Sequence, residues 1–453
     1  MGRNMLTLDE IAAVLGAARI GANVEFFGVS TDSRKIAQGD LFVALKGANF
    51  DGSEFVSVAG QAGAAAAIVE KRIESAIPLL VVKDARLALG KLAAFWRSRF
   101  GIPVIAITGS NGKTTVKEML ASILREKGEV LATKGNLNND IGLPLTLLGL
   151  RREHRFAVIE MGMNHPGEIR YLCSIASPDF ALVTNAASAH LEGLGSVAAV
   201  ARAKGEIFEG LKQEGTALIN ADDAYAPLWR DLAKSRNIVD FGLNSGAGVT
   251  ARYVLDEYGS DIVLSIPEGE IGTRLQVPGL HNVRNALAAA AAASAAGIDA
   301  KAIGQGLAKF AGVAGRMQRK TGKKGAVLVD DTYNANPDSV RAAIAWLSNA
   351  KGKTLLILGD MGELGPDSSK LHGEIGAAAR DAGIGALLTL GKASEAAAMA
   401  FGKGAHHFGE IETLVGKAQS LLEPGMTVLV KGSRFMKMER VVEQLEEREK
   451  ACC

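Results

Sequence analysis

The chain has 453 residues, too many for one hydrophobic core, so about three domains are expected. Its 51 Lys and Arg against 49 Asp and Glu leave a net charge of +2, which argues against nucleic acid or an anionic membrane as partner. With 48% hydrophobic and 22% charged residues, the composition is that of a water-soluble globular protein. Asp9 and Glu10 lie where a secretory leader would be apolar, and the Ala-rich run 286–296 is too short and too weakly apolar to span a bilayer. The three cysteines, Cys173, Cys452 and Cys453, form no disulfide framework, so a cytoplasmic location is expected.

Residues 1–100 read as a first, small mixed α/β unit. Thr7 to Leu15 has the pattern of a short helix, with Thr7 as N-cap and Glu10 three residues on. Strands are expected over 29–34, 40–45, 65–69 and 79–82, and helices over 55–62 and 85–100. Residues 101–315 repeat strand and helix, with strands at 104–108, 156–160, 180–185, 216–220 and 238–241. That alternation predicts a parallel sheet covered by helices, with functional loops at the carboxyl ends of the strands. Short alternating strands at 249–254, 261–266 and 274–277 suggest an antiparallel appendage, followed by helices at 282–296 and 300–310. The polar stretch 316–325 carries five Lys or Arg and two Gly with no apolar period, and reads as a hinge. Residues 316–453 then alternate strand and helix again, a second doubly wound sheet.

The most informative stretch is VIAITGSNGKTTVKEM, residues 104–119. An apolar strand runs into Gly109-Ser110-Asn111-Gly112, and Lys113-Thr114-Thr115 opens a helix. Glycines let backbone N–H groups point inward, and the helix dipole adds positive potential, so this is a phosphate site. A Lys then reaches the outer phosphates and a Thr hydroxyl holds a metal ion. The first Gly of the longer P-loop pattern is replaced by Ile107, so this is the short G-x-x-G-K-T-T form. Glu160 ends a strand of the same sheet and is the best-placed metal carboxylate; Asp330, Asp331 and Asp360 end strands further along. His190 follows the next strand, and Asn136, Asn138 and Asn139 crowd into one turn.

Taken together, TDSR, GDLFVAL, TGSNGKTT, KGNLNNDIGLPLTLL, VIEMG, AHLEGLGS, ARAKGEIF, HNVRNALAA, GRMQ, DDTYNANPDS, LGDMGELG and KGSRFMKME resemble, in that order, the Mur ligases of bacterial cell-wall synthesis. The resemblance implies a substrate domain at 1–100, a central P-loop ATPase-like domain at 101–315 and a C-terminal Rossmann-like domain at 316–453. It implies an ATP-dependent ligase, using Mg²⁺, that joins D-alanyl-D-alanine to UDP-N-acetylmuramoyl-tripeptide through an acyl phosphate, and a monomer. The competing member of the family adds diaminopimelate or lysine. The diaminopimelate enzyme carries a D-N-P-R stretch, and the matching place here, residues 335–339, has no Arg. A nucleotide switch protein is a further alternative, but the N-K-x-D guanine motif is absent.

Carried over by motif, the resemblance makes Lys113, His190 and Lys204 catalytic. Gly109, Ser110, Asn111, Gly112, Lys113, Thr114 and Thr115 would hold the nucleotide phosphates. Asn282 would contact adenine, Arg316 a phosphate and Asp331 the ribose, with Asn334 and Asn336 nearby. Thr114, Glu160, His190 and Lys204 would serve the metal ions, Lys204 as a carbamate. Ser33, Arg34 and Asn138 would serve the UDP-linked substrate.

Overall fold

A computed structural model describes residues 5–47, 49–188, 191–244 and 246–447. Three sheets organise the chain. In the central one, six parallel strands run in the order Asn237–Phe241, Thr216–Asn220, Phe180–Val183, Val104–Thr108, His154–Glu160, Glu129–Ala132. All five residues of Val104–Thr108 are buried, as expected for a strand covered on both faces. One face packs on the helix Lys113–Leu124, the long helix Leu280–Ala295 and a three-stranded antiparallel sheet, Thr250–Leu255, Ser260–Ile266 and Gly269–Leu275. The parallel register places Val183 level with Thr108 and Glu160 level with Ile107, so three strands end side by side.

The first sheet has five strands, ordered Ala18–Ile20, Leu79–Val81, Ala66–Val69, Asp40–Val43, Gly28–Ser30, with only the first antiparallel to its neighbour. Its core is continuous with the central one. The helix Ala85–Ser98, N-capped by Asp84, buries Leu89, Leu92 and Trp96 against the helices Gly142–Leu148 and Glu168–Ala176. Trp96 Nε1 donates to Leu150 O at 3.1 Å, and Arg97 Nε to Ala176 O at 3.2 Å. The helix at Leu8–Leu15 carries the expected capping box between Thr7 and Glu10.

The third sheet runs Gln318–Thr321, Val327–Asp331, Thr427–Lys431, Thr354–Gly359, Ala386–Leu390, Ala405–Phe408. Its first strand is antiparallel and pairs Gln318 with Asp330 through Thr321 with Val327. Residues 318–321 are therefore not a hinge. QRKT has no apolar period because an edge strand exposes one side, and tertiary pairing overrides the local pattern. Two smaller departures have the same kind of cause. Thr31 to Arg34 leaves the strand early, because the Asp32 carboxylate accepts from Arg34 N and turns Ser33–Lys35 into a short 3₁₀ helix. The appendage's last strand is Gly269–Leu275, set by its pairing with Ser260–Ile266 rather than by its own composition. Among the described residues no helix is long and apolar enough to cross a membrane.

The helix Ala300–Lys309 crosses the Lys113–Leu124 helix at close range: Ser122 Oγ donates to Gly306 O at 2.7 Å, and a Cβ at Gly306 would sit 2.3 Å from Ile123 Cα. Gly306→Val must push the helices apart. Overpacking of this kind costs about 1–3 kcal/mol, so a thermal melt is expected to show a clear drop in Tm.

Candidate active site

The phosphate loop takes its shape from two glycines. Gly109 has φ +148° and Gly112 φ +82°. A Cβ at Gly109 would lie 1.8 Å from Thr184 Oγ1, and one at Gly112 2.4 Å from Asn285 Oδ1, so both strain and space demand glycine. Asn111 is tied on all sides. Its N–H donates to Asn185 Oδ1 at 3.0 Å, its carbonyl accepts from Thr184 Oγ1 at 2.6 Å, and its Oδ1 accepts from Asn336 Nδ2 at 2.8 Å. Ser110 Oγ accepts from Ala187 N at 2.9 Å. The loop is thus clamped between the next strand's exit and the third sheet.

Lys113 Nζ donates to Gly109 O at 2.6 Å. Burial lowers its pKa; the negative charges of Glu160 and Glu363 oppose that shift, and Arg316 adds to it. Thr114 Oγ1 donates to Glu160 Oε2 at 2.8 Å and accepts from Arg316 Nη2 at 2.9 Å. The other oxygen of Glu160 accepts from Asn138 Nδ2 at 2.8 Å, while Glu160 N donates to Thr133 Oγ1. A hydroxyl, a carboxylate and a guanidinium therefore meet where the first helical turn faces the neighbouring strand's end. The Arg316 guanidinium also stacks over Tyr333 at 4.1 Å, and its Nε is buried with no hydrogen-bond partner among the described residues.

These groups open on a cavity of about 1510 Å³ between the central and third sheets, with Arg86 and Leu87 of the helix Ala85–Ser98 at its border. Ser110, Asn111, Gly112, Lys113, Thr115, Asn138, Glu160, Asn282, Arg316, Asp331, Asn334 and Asn336 all line it. Thr114 and Lys204 are buried, 6% and 1% exposed, and do not line it. Burial, with the charge of Lys113 second, lowers the Lys204 pKa well below that of an ordinary lysine. Ser33 and Arg34 are not on the cavity wall; Arg34 is bound to Asp32 at 2.8 Å on the first sheet's exposed rim. His190 lies outside the described residues. Of the other strand-end acids, Asp331 bonds Lys431 Nζ at 2.6 Å, Asp330 accepts from Thr332, and Asp360 caps Ala393 and Ser394.

Sequence reasoning did not single out His281, Asn285, Thr184, Asn185 or Lys431, which also line the cavity or brace its loop. His281 has its pKa lowered by burial, with Asp331 opposing and Lys431 adding to the shift. The signal was present, since His281 and Asn285 flank Asn282 in HNVRN and Lys431 ends an apolar strand.

Comparison with known protein families finds three matches in order along the chain. The Mur ligase family, catalytic domain model covers residues 25–97, the Mur ligase middle domain 107–293, and the Mur ligase, glutamate ligase domain 315–434. The chain belongs to the Mur ligase family. Like the family's other members it is an ATP-dependent ligase. One relative, UDP-N-acetylmuramoyl-tripeptide--D-alanyl-D-alanine ligase of Escherichia coli K12, is 44% identical over 98% of both chains. Among solved structures, MurF from Acinetobacter baumannii superposes with a TM-score of 0.92, at 38% identity over 98% of this chain and 99% of that one. MurF ligase from Thermotoga maritima, in complex with ADP, gives 0.83 at 30% identity, over 92% and 96%. The Mur ligase fold anticipated from the motifs, with parallel sheets in the central and C-terminal parts, is thereby borne out.

Lys113→Ala removes the only amine reaching into the phosphate loop among the described residues of that loop and helix turn. ATP affinity is expected to fall by at least about tenfold, the scale of one lost charge-assisted contact. Titration calorimetry reads the loss, and circular dichroism is expected to show an intact fold.

Proposed function

We propose that this ligase joins D-alanyl-D-alanine to UDP-N-acetylmuramoyl-tripeptide, with ATP converted to ADP and phosphate. The observation that carries this reading is the full-length likeness to relatives so named, together with a cavity that gathers the phosphate loop, Glu160 and Arg316. In it, residues 1–100 receive the UDP-sugar, 101–315 bind ATP and the tripeptide's reacting end, and 316–453 complete the nucleotide site and receive the dipeptide. The missing Arg over 335–339 speaks against the sister enzyme that adds diaminopimelate. The reading includes a monomer in the cytosol, which suits a buried, unpaired Cys173.

The chemistry has two steps. A carboxylate oxygen of the tripeptide bonds to the γ-phosphorus, and the bond from that phosphorus to ADP breaks. The dipeptide's amine nitrogen then bonds to the acyl carbon, phosphate leaves with the C–O bond electrons, and the amine's protons pass to water. The first step brings two anions together, so it needs fixed positive charge that is present beforehand. Lys113 and the loop amides hold the outer phosphates. Arg316, with one donor spent on Thr114 and a buried Nε lacking any partner among the described residues, is poised for an anion. Asn138 orients Glu160, and Asn282 and Asp331 face the nucleoside end.

The donor set fits Mg²⁺. Thr114 Oγ1 and Glu160 Oε2 are hard oxygen donors 2.8 Å apart, and Mg²⁺ prefers one or two carboxylates completed by substrate phosphates and water. Bound there, it supplies positive charge to the phosphate oxygens. Lys204 is the candidate for carbamylation, in which its nitrogen bonds to the carbon of CO₂ and one proton leaves. That needs the neutral amine, and burial beside Lys113 favours the neutral form.

Phosphate release from ATP is expected to need both the tripeptide and D-alanyl-D-alanine, with a product heavier by the dipeptide. Release with a single amino acid instead moves the assignment to a sister ligase. Lys204→Ala is expected to lose nearly all turnover and to regain part of it with added short carboxylates; a variant that stays active and ignores them removes the carbamate.

A further inference from the structure

The helix that opens with Lys113 carries a second lysine one turn on, and the two-step chemistry makes no use of it. Lys117 is fully buried, where lysine is almost never found without a partner. Its Nζ donates to Thr133 O and lies 3.0 Å from Glu118 Oε1. Thr133 is also buried, and it follows the strand Glu129–Ala132 at the edge of the central sheet. The pairing of that strand with His154–Glu160 ends in an irregular way. Val158 pairs with Ala132, and Thr133 N donates to Val158 O at 3.1 Å. In a continuing parallel ladder the next bond would run from Glu160 N to Thr133 O. Lys117 takes that carbonyl instead, and Glu160 N donates to the Thr133 hydroxyl at 2.9 Å. Released from the ladder, the Glu160 carboxylate accepts from Thr114 Oγ1 and from Asn138 Nδ2, each at 2.8 Å.

We propose that Lys117 is a positioning residue for the metal site. By holding the Thr133 carbonyl it leaves the Thr133 hydroxyl to fix the Glu160 backbone, and so aims the carboxylate at Thr114. This rests on the reading that Thr114 and Glu160 hold Mg²⁺. The need is geometric. Mg²⁺ demands near-octahedral donors at about 2.0–2.1 Å, so a strand end that slides binds it poorly. The four-residue edge strand Glu129–Ala132 is exposed or half-buried throughout and supplies little stiffness of its own. An amine from the phosphate-loop helix, tied to that strand's exit, joins the Thr114 hydroxyl and the Glu160 carboxylate into one frame. With an apolar residue at 117, the Thr133 carbonyl is left buried and unpaired. It then competes for the Glu160 N–H, and the carboxylate turns with its backbone.

The test reads the metal's effect on nucleotide binding in the full chain. Titration calorimetry gives the ATP dissociation constant with Mg²⁺ and with EDTA, and the ratio of the two is compared between variants. In Lys117→Met and Thr133→Val that advantage of the metal is expected to fall about 10-fold or more, the scale on which groups behind a metal ligand act. ATP binding in EDTA is expected to be unchanged, which a general loosening of the phosphate loop would not allow. Thr133→Ser keeps the hydroxyl and is expected to keep the wild-type ratio. The double variant Lys117→Met/Thr133→Val is expected to lose no more than the larger single loss, since both act through one contact. A wild-type ratio in Lys117→Met or in Thr133→Val overturns the proposal, as do losses that add in the double variant. Glu160→Ala separates this proposal from the reading beneath it. If that variant also keeps the wild-type ratio, the magnesium reading falls and this proposal with it. If it abolishes the metal's advantage while Lys117→Met does not, this proposal alone falls.

Discussion

Positive charge held away from water is the constraint on which the cavity depends. Lys204 is buried and Lys113 and Arg316 are half-buried, and like charges in such a place destabilise one another. The fold answers this in three ways. Glu160 and Glu363 set negative charge against Lys113. Arg316 spreads its charge over the Tyr333 ring and the Thr114 hydroxyl. Lys204, the deepest, is pushed toward the uncharged form. The same repulsion favours the binding of polyanions, because each phosphate oxygen relieves it.

The cavity sits where two kinds of contact meet. Towards the first sheet the central sheet presents hydrocarbon: Leu89, Leu92 and Trp96 lie in one core with Ile169, Leu172 and Ile175. Towards the third sheet it presents hydrogen bonds, such as Asn336 to Asn111, Ser188 to Asp338 and Arg316 to Thr114. Polar contacts exchange for water at small net cost, whereas a shared apolar core does not. The seam to the third sheet is thus built of polar side chains, some of which also grip the nucleotide loop.

The phosphate loop and the parallel sheet were legible in the sequence because each is local. The run Val104–Thr108 is apolar throughout, and Gly109, Gly112, Lys113 and Thr114 must sit at fixed offsets for the backbone amides to converge. Glu160 was legible for a related reason, as the last residue of a strand that neighbours the loop. Three of the edge strands were not. Glu129–Ala132, Gln318–Thr321 and Ala405–Phe408 are short and partly exposed, and only pairing makes them strands. Nor does any pattern announce that Arg316, beside such a strand, reaches Thr114 some two hundred residues earlier, or that Asn285 fills the space glycine leaves at 112. Both depend on distant segments arriving at one place.

The helix Ala85–Ser98 also bears on how the chain is made. Its apolar side is finished only by the helices Gly142–Leu148 and Glu168–Ala176, which leave the ribosome later. The first hundred residues thus emerge with the side of this helix that faces those two later helices not yet covered. Burial is complete only once the central strands are synthesised.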